Sequence, residues 1–153
     1  DVLIVTNTPD EYAFLELPMT GALIPDCGSL GGIYAGLKTM QTPYGICIAC
    51  DMPFVEPSLL RYMVDYADGA YDVIVPMSDY GFEPMCAVYG DACITPIEQK
   101  LNEGDLKVIR FYDQVRVKTI TDDDTDLFTP QMLFNVNTQA DYEEALKLLG
   151  NGE

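Results

Sequence analysis

The chain has 153 residues, 48% of them hydrophobic, and 25 acidic against 8 basic side chains give it a net charge of −17. This length and composition predict a single domain over residues 1–153 with a substantial core. The acidic charge excludes nucleic acid and anionic membranes as expected partners. No apolar run approaches the ~18 residues that a membrane span needs.

Histidine is absent from the sequence. Its absence excludes Ser-His-Asp chemistry, Cys-His chemistry and His-ligated zinc within this chain. The five cysteines, an odd number, favour reduced thiols and a cytoplasmic location. Cys47 and Cys50 lie in a predicted strand, where positions three apart face opposite sides of the sheet. We therefore predict that both are buried packing residues and not a redox pair.

Predicted strands and helices alternate along the chain. Strands are expected at 1–5, 22–25, 44–50, 72–76, 85–89 and 115–120. Helices are expected at 10–17, 57–68, 91–102 and 138–149. A further helix is expected to follow a glycine-rich turn at 28–32 and to end near residue 40. This alternation predicts a three-layer α/β domain with a mostly parallel sheet. The two consecutive strands after Asp72 indicate some antiparallel pairing.

A single carboxylate follows the apolar run from Tyr44 to Cys50. Asp51 ends that run, and Met52-Pro53 then turns the chain. Ligands of open α/β sheets collect at the carboxyl ends of the strands, and an Asp there is well placed to hold a divalent cation against a phosphate. A turn-forming Asp without chemical function is the alternative interpretation of this segment.

Two further segments could contact a ligand. The stretch from Gly28 to Gly36 contains four glycines, which allow close approach of the backbone to a ligand but are more typical of a turn with close helix packing. It matches neither the Walker loop nor the dinucleotide-binding motif. Asn135 and Asn137 share one face of an extended segment and could hold carbonyl and phosphate oxygens. Alternatively, Asn137 or Thr138 simply caps the last helix.

Four motifs occur together in a fixed order. They are Asp26-x-Gly28-x-Leu30-x-Gly32-Ile33-x-x-Gly36-Leu37, Cys50-Asp51-Met52-Pro53-Phe54, Glu83-Pro84 followed by Ala87-Val88-Tyr89, and Asn135-Val136-Asn137-Thr138. With this order and spacing, nearly the whole chain resembles the molybdenum cofactor guanylyltransferases, which are nucleotidyltransferases with a Rossmann-like sheet. The Asn-Val-Asn-Thr motif favours this family over the related cytidylyltransferases and sugar-nucleotide enzymes.

The resemblance implies an enzyme that transfers GMP from GTP to molybdopterin, with Mg²⁺ as cofactor and release of pyrophosphate. It implies that Asp51 is the catalytic Mg²⁺ ligand and that Asn7 contacts the nucleotide base. The remaining residues that it implicates bind nucleotide or pterin: Asp26, Gly28 and Gly32 on the nucleotide side, and Asn135 and Asn137 near the pterin and metal. Molybdoenzymes and other cofactor-maturation proteins are further possible partners.

The sequence departs from the family pattern at its start. The family begins with a strand and a glycine-rich loop that carries Ser, Arg and Lys and grips the triphosphate, whereas Asp1 aligns with the second strand. The resemblance therefore implies a Rossmann-like domain without its first strand, and this chain alone is expected to be inactive. Lys107, after Gly104, is the nearest match to a basic residue of the family.

Two alternatives stay open at this point. One is a related nucleotidyltransferase, such as a molybdopterin cytidylyltransferase. The other is a non-catalytic nucleotide-binding module that has lost the phosphate loop.

Overall fold

The computed structural model describes residues 1–150, with only the backbone of Pro130 included. The strands are β1 (Ile4–Val5), β2 (Met19–Thr20), β3 (Tyr44–Ile48), β4 (Val73–Ser78), β5 (Gly81–Phe82), β6 (Cys86–Gly90) and β7 (Val117–Ile120). The α-helices are α1 (Pro9–Tyr12), α2 (Gly28–Thr39), α3 (Pro57–Val64), α4 (Ile94–Glu103) and α5 (Gln139–Gly150). Short 3₁₀ helices lie at Ala13–Leu15, Asp91–Cys93, Val108–Gln114 and Pro130–Leu133.

A larger sheet contains β3, β6, β4 and β7, with the short strand β5 paired to the end of β4. Strand β6 runs antiparallel to both β3 and β4, whereas β7 is parallel to β4. Strands β3, β4 and β7 therefore share one direction and β6 is reversed. The predicted α/β class and the antiparallel pairing after Asp72 are confirmed.

Helices cover both faces of this sheet because successive strand residues point to opposite sides. Val73 and Val75 of β4 face a core formed with α2 and α4, to which Phe111 also belongs. Ile74 faces a second core that includes Leu59 of α3. All five of these side chains are fully buried. The arrangement is the predicted three-layer domain.

Strands β1 and β2 form a separate two-stranded parallel sheet, with Ile4 opposite Met19 and Val5 opposite Thr20. Within residues 1–150, no backbone ladder joins this sheet to β3. Helix α2 contacts β1, β2 and β3 and so packs against both sheets.

Three sequence predictions near the start of the chain are wrong in detail. Residues 22–25 form no strand, because the Ala22 N–H bonds the Asn7 side chain and Pro25 has no N–H to donate. The helix predicted at 10–17 stops early: Glu16, at φ 51°, ends a 3₁₀ turn that follows α1. The segment 28–32 is no turn before a helix, since α2 begins at Gly28 itself.

The two cysteines near the end of β3 differ in their surroundings. Cys47 is half-buried, and burial raises the pKa of its thiol to about 11. Cys50 lies beyond the end of β3 and is exposed, so its predicted burial is wrong. Among residues 1–150, no helix has the length and apolar character required to cross a membrane.

Candidate functional site

Asp51 lies just beyond the carboxyl end of β3, as the sequence predicted. The Ala49 N–H donates to the carbonyl of Met85 at 2.8 Å, which holds the end of β3 against the chain entering β6. The Asp51 carbonyl in turn accepts a 2.8 Å hydrogen bond from the Val136 N–H. The Asp51 turn is therefore tied to the segment that carries Asn135 and Asn137.

The Asp51 carboxylate contains a buried oxygen without a protein partner. Oδ1 is the one buried side-chain nitrogen or oxygen atom in the described part of the chain that has no hydrogen bond. Native proteins rarely leave such atoms unpaired, because burying an unsatisfied carboxylate oxygen is unfavourable. A bound cation or a ligand donor would satisfy it, so this atom favours a binding role for Asp51 over a purely turn-forming one.

Glu83 is a second carboxylate beside Asp51, and the sequence prediction of site residues missed it. Its backbone N–H donates to Pro76 O at 2.9 Å, and its Oε1 accepts a 3.3 Å bond from the Met85 N–H. Burial raises the pKa of Glu83, and the negative charge of Asp51 adds to the rise; hydrogen bonds from Met85 and the Asn135 side chain oppose it. An acidic residue directly before Pro84, at the entrance to an apolar strand, was the available signal.

Asn135 lies in the same cluster and Asn137 lies at its edge. The Asn135 side chain is half-buried, and its Nδ2 donates to Leu133 O at 2.9 Å. Next to it, the Phe134 ring makes an edge-to-face contact with Phe54, with the ring centroids 6.0 Å apart. The structure thus brings Asp51, Glu83 and Asn135 together through contacts between their loops.

Asn137 stands at the entrance to α5 and is exposed. Its backbone N–H and that of Thr138 donate to Asp141 Oδ2, and the Asp141 N–H donates back to Thr138 Oγ1 at 3.2 Å. This reciprocal pattern is a capping box. Hydrogen bonding by the Thr138 side chain, and after it by the backbone N–H groups of Asn137 and Thr138, lowers the pKa of Asp141. The helix-capping interpretation of Thr138 therefore holds, and the side chain of Asn137 is left facing solvent.

The residues predicted on the nucleotide side form a second group, around β1, β2 and the start of α2. Asn7 Oδ1 accepts a 2.9 Å bond from the Ala22 N–H, linking the chain after β1 to the chain after β2. Asp26 at φ 58° and Gly28 at φ 53° form an exposed left-handed turn into α2. Gly32 lies on the face of α2 toward Val5, where an added Cβ would stand 3.9 Å from Val5 Cγ1.

Lys107 is exposed in the connection after α4. No hydrogen bond or ion pair within the described residues joins it to either group.

The Asp51 cluster fits a metal that a phosphate helps to bind. Residues 1–150 contain no group of three His, Cys, Asp or Glu side chains that could hold a metal by themselves. Mg²⁺ keeps several waters and is usually bound through one or two carboxylates together with substrate phosphates. The unpaired oxygen of Asp51, with Glu83 and Asn135 nearby, provides oxygen ligands of the kind that such a site requires.

Comparison with known proteins finds relatives that match nearly the whole chain in sequence and in fold. The molybdenum cofactor guanylyltransferase of Desulfosudis oleivorans is 33% identical over 95% of this chain and 73% of its own length. The probable molybdenum cofactor guanylyltransferase of Pelotomaculum thermopropionicum is 35% identical over 99% and 74%. The crystal structure of molybdopterin-guanine dinucleotide biosynthesis protein A from Archaeoglobus fulgidus superposes with a TM-score of 0.82, at 24% identity, over 97% of this chain and 78% of that one.

The matched family covers most of the chain and includes the first three of the four motifs. Residues 1–118 match the family described as MobA-like NTP transferase domain. The α/β fold, the placement of Asp51 at the end of β3 and relatives at 33% and 35% identity point the same way. The chain is therefore a member of the MobA-like NTP transferase domain family, to which a nucleotidyltransferase activity belongs.

Proposed function

We propose that this chain forms the GMP-transferring domain of a Mg²⁺-dependent guanylyltransferase whose substrates are GTP and molybdopterin. The products are molybdopterin-guanine dinucleotide and pyrophosphate. The names of the relatives support the guanylyltransferase class. The observation that carries the finer proposal is the buried, unpartnered Oδ1 of Asp51 at the carboxyl end of β3.

The transfer requires positioning and charge neutralisation more than covalent catalysis. An oxygen of the molybdopterin phosphate attacks the α-phosphorus of GTP, the bond between that phosphorus and the bridging oxygen breaks, and pyrophosphate leaves. The attacking phosphate is already ionised at neutral pH, so a chain without histidine can support the step. When bound, Mg²⁺ neutralises charge on the reacting phosphates.

The residues of the chain divide the remaining work. Asp51 would supply the anionic ligand that holds the metal at the end of β3, with Glu83 as a second negative charge beside it. Asn135 supplies an amide next to these carboxylates. On the other side, Asn7, Asp26, Gly28 and Gly32 form the nucleotide half of the site, where the exposed N-terminus of α2 offers backbone N–H groups. We assign Asn137, which follows Asn135 by two residues, to the acceptor side as well.

We also propose one domain and a cytoplasmic location, with molybdoenzymes or cofactor-maturation proteins as later partners. The five cysteines are all free, which is consistent with a reducing compartment.

The decisive experiment replaces Asp51 in the complete gene product. We expect Asp51→Ala and Asp51→Asn to lower guanylyl transfer to molybdopterin by about a hundredfold or more, since the charge that fixes the metal is lost. Asp79→Asn removes an exposed carboxylate that lies outside both groups and serves as the matched control. Circular dichroism should show unchanged folding, because Asp51→Asn removes an unpaired buried charge. Normal turnover in Asp51→Ala would remove Asp51 from the mechanism.

A second arm identifies the nucleotide. In a competition binding assay, we expect the complete protein to bind GTP with higher affinity than CTP. A preference for CTP would instead assign a cytidylyltransferase. Binding of nucleotide by the complete protein without any transfer to molybdopterin would favour the non-catalytic nucleotide-binding module.

A further inference from the structure

A groove of about 620 Å³ adjoins the Asp51 cluster. Three aromatic side chains, Tyr80, Phe82 and Phe134, line it together with the carboxylates Glu83 and Glu144 and the amide of Asn135. Phe82 is held from behind by an edge-to-face contact with Tyr112 at 5.5 Å. The groove therefore combines flat apolar walls with a small number of polar groups, as small-molecule sites do.

The groove is continuous with the acceptor side of the site. Glu83 and Asn135 both line it and both neighbour Asp51. Its described lining comes from β4, β5, the segment 131–135 and α5, and not from β1, β2 or α2. The nucleotide group around Asn7 and Asp26 thus belongs to different elements. The groove is consequently placed for the second substrate and not for the nucleotide base.

Glu83 is the carboxylate that can recognise a ligand here. Glu144, the other one, is at the surface and pairs with Lys147 at 3.2 Å. Glu83 is half-buried, and within residues 1–150 it accepts one backbone bond and one amide contact. A carboxylate has about four acceptor positions. None of the described lining residues is a cation that could neutralise it. A ligand with two adjacent N–H donors would satisfy the remaining positions in a fork geometry.

A 2-amino-4-oxopyrimidine ring has such an edge, formed by its ring N–H and its amino group. We propose that this groove binds the pterin ring of the acceptor, stacked between the aromatic walls, with Glu83 accepting both N–H donors. The inference rests on the proposed function in taking a pterin as acceptor. Guanine carries the same edge, but the position of the groove away from Asn7 and Asp26 assigns it to the pterin.

The test compares two ring systems that differ at one atom. Pterin carries the 2-amino group, whereas lumazine carries an oxygen there; both are fluorescent and can be titrated into the complete protein without nucleotide or metal. We expect the wild type to prefer the pterin at least about tenfold. Glu83→Gln should reverse the preference, because its amide N–H can donate to the 2-oxo group of lumazine. A partly unfolded variant would lose both ligands together, so the reversal is specific.

Glu144→Gln is the matched control, because it also lines the groove but is paired with Lys147. This variant should keep the wild-type ratio of pterin affinity to lumazine affinity. An unchanged ratio in Glu83→Gln would overturn the inference. So would displacement of the pterin by GMP at comparable concentrations, since the groove would then be the base site.

If Asp51→Ala loses guanylyl transfer and Glu83→Gln keeps the wild-type affinity ratio, only the inference about the groove is contradicted. If Glu83→Gln reverses the affinity ratio and Asp51→Ala transfers GMP normally, only the proposed metal role of Asp51 is contradicted.

Discussion

The two sheets of this protein differ sharply in how well they are packed. In the larger sheet, Val73 of β4 and Cys86 of β6 are fully buried, and helices cover both faces. In the β1–β2 sheet each strand has two residues, and nearby Phe14 and Leu23 are 77% and 52% exposed. The larger sheet has a core of its own, whereas the β1–β2 sheet depends on helix α2 for its packing.

This contrast divides the candidate site. Asp51, Glu83 and Asn135 are fixed by loops that contact the larger sheet, so the half of the site proposed to bind the metal is preorganised. Asn7 and Asp26 belong to the β1–β2 sheet and the start of α2. Their geometry depends on α2 holding that sheet in place. Substitutions that disturb the packing of α2 should therefore lower the affinity for the nucleotide more than the affinity for the metal.

The largest expected effect comes from removing a matched aromatic from each region. Phe111 is fully buried and packs at an angle against Tyr112, with centroids 5.0 Å apart. Phe111→Ala should lower the free energy of unfolding by about 3–5 kcal/mol, because it leaves a cavity in the core of the larger sheet. Phe14→Ala should change it by less than about 0.5 kcal/mol. Urea denaturation measures both, and equal losses would contradict the proposed inequality of the two regions.

The next effect comes from the ion pair that joins β4 to β7. Asp72 is buried, and Arg116 donates to it from the backbone N–H at 2.8 Å, from Nε at 2.9 Å and from Nη2 at 2.6 Å. Hydrogen bonding by the Arg116 side chain holds the pKa of Asp72 below its usual range. Because the folded-state pKa is depressed, the stabilisation is present above the unfolded pKa of about 3.9 and is lost as the pH falls through the folded value.

Asp72→Asn should therefore lower the Tm by about 5 °C at pH 7, and by less below pH 4. Thermal melts of wild type and variant at both pH values give the difference. Asp105→Asn removes an exposed carboxylate that lies 3.9 Å from Arg110 and should shift the Tm little at either pH. A difference between wild type and Asp72→Asn that does not shrink in acid would show that the pair is not responsible.

A smaller effect tests the helix that connects the two sheets. A Cβ on Gly31 would stand 2.6 Å from Cys27 Cβ, which is closer than real side chains approach. A Cβ on Gly36 would stand 3.7 Å from Val5 Cγ2, an ordinary contact. Gly31→Ala should therefore destabilise the fold by about 1–2 kcal/mol through overpacking. Gly36→Ala should be neutral or stabilising by up to about 1 kcal/mol, because Ala favours helix. Urea denaturation measures both changes in the free energy of unfolding, and an equal loss of stability in Gly31→Ala and Gly36→Ala would contradict this packing.

The sequence predicted the elements of the well-packed region best. The start of β3 at Tyr44 and of α3 at Pro57 were both correct, since an apolar run and a proline at the first helical turn are strong local signals. The strand placed at 22–25 was wrong because β2 has only two residues, Met19 and Thr20, and two residues show no periodicity. What positions that segment is a side-chain bond from Asn7, which sequence patterns do not reveal.

The site was predicted in the same uneven way. Asp51 was identified because a carboxylate after an apolar strand is visible in the sequence. Glu83 belongs to the third motif, but the sequence predicts no role for it, since only the folded chain shows that it lies beside Asp51 and Asn135. The predicted position of Asn137 in the site and its capping interpretation could not be separated without the bonds to Asp141.

The smallest effect compares two threonines that precede helices in the two regions. Thr138 Oγ1 accepts the Asp141 N–H at the start of α5, whereas Thr8 makes no side-chain cap to α1. Thr138→Ala should cost about 0.5–1 kcal/mol in urea denaturation, and Thr8→Ala less. Because α5 follows directly after Asn135 and Asn137, fraying of its first turn should also weaken pterin binding in the groove. Equal pterin affinity in Thr138→Ala and wild type would show that the segment 133–137 is held by its contacts with Asp51 and Phe54 alone.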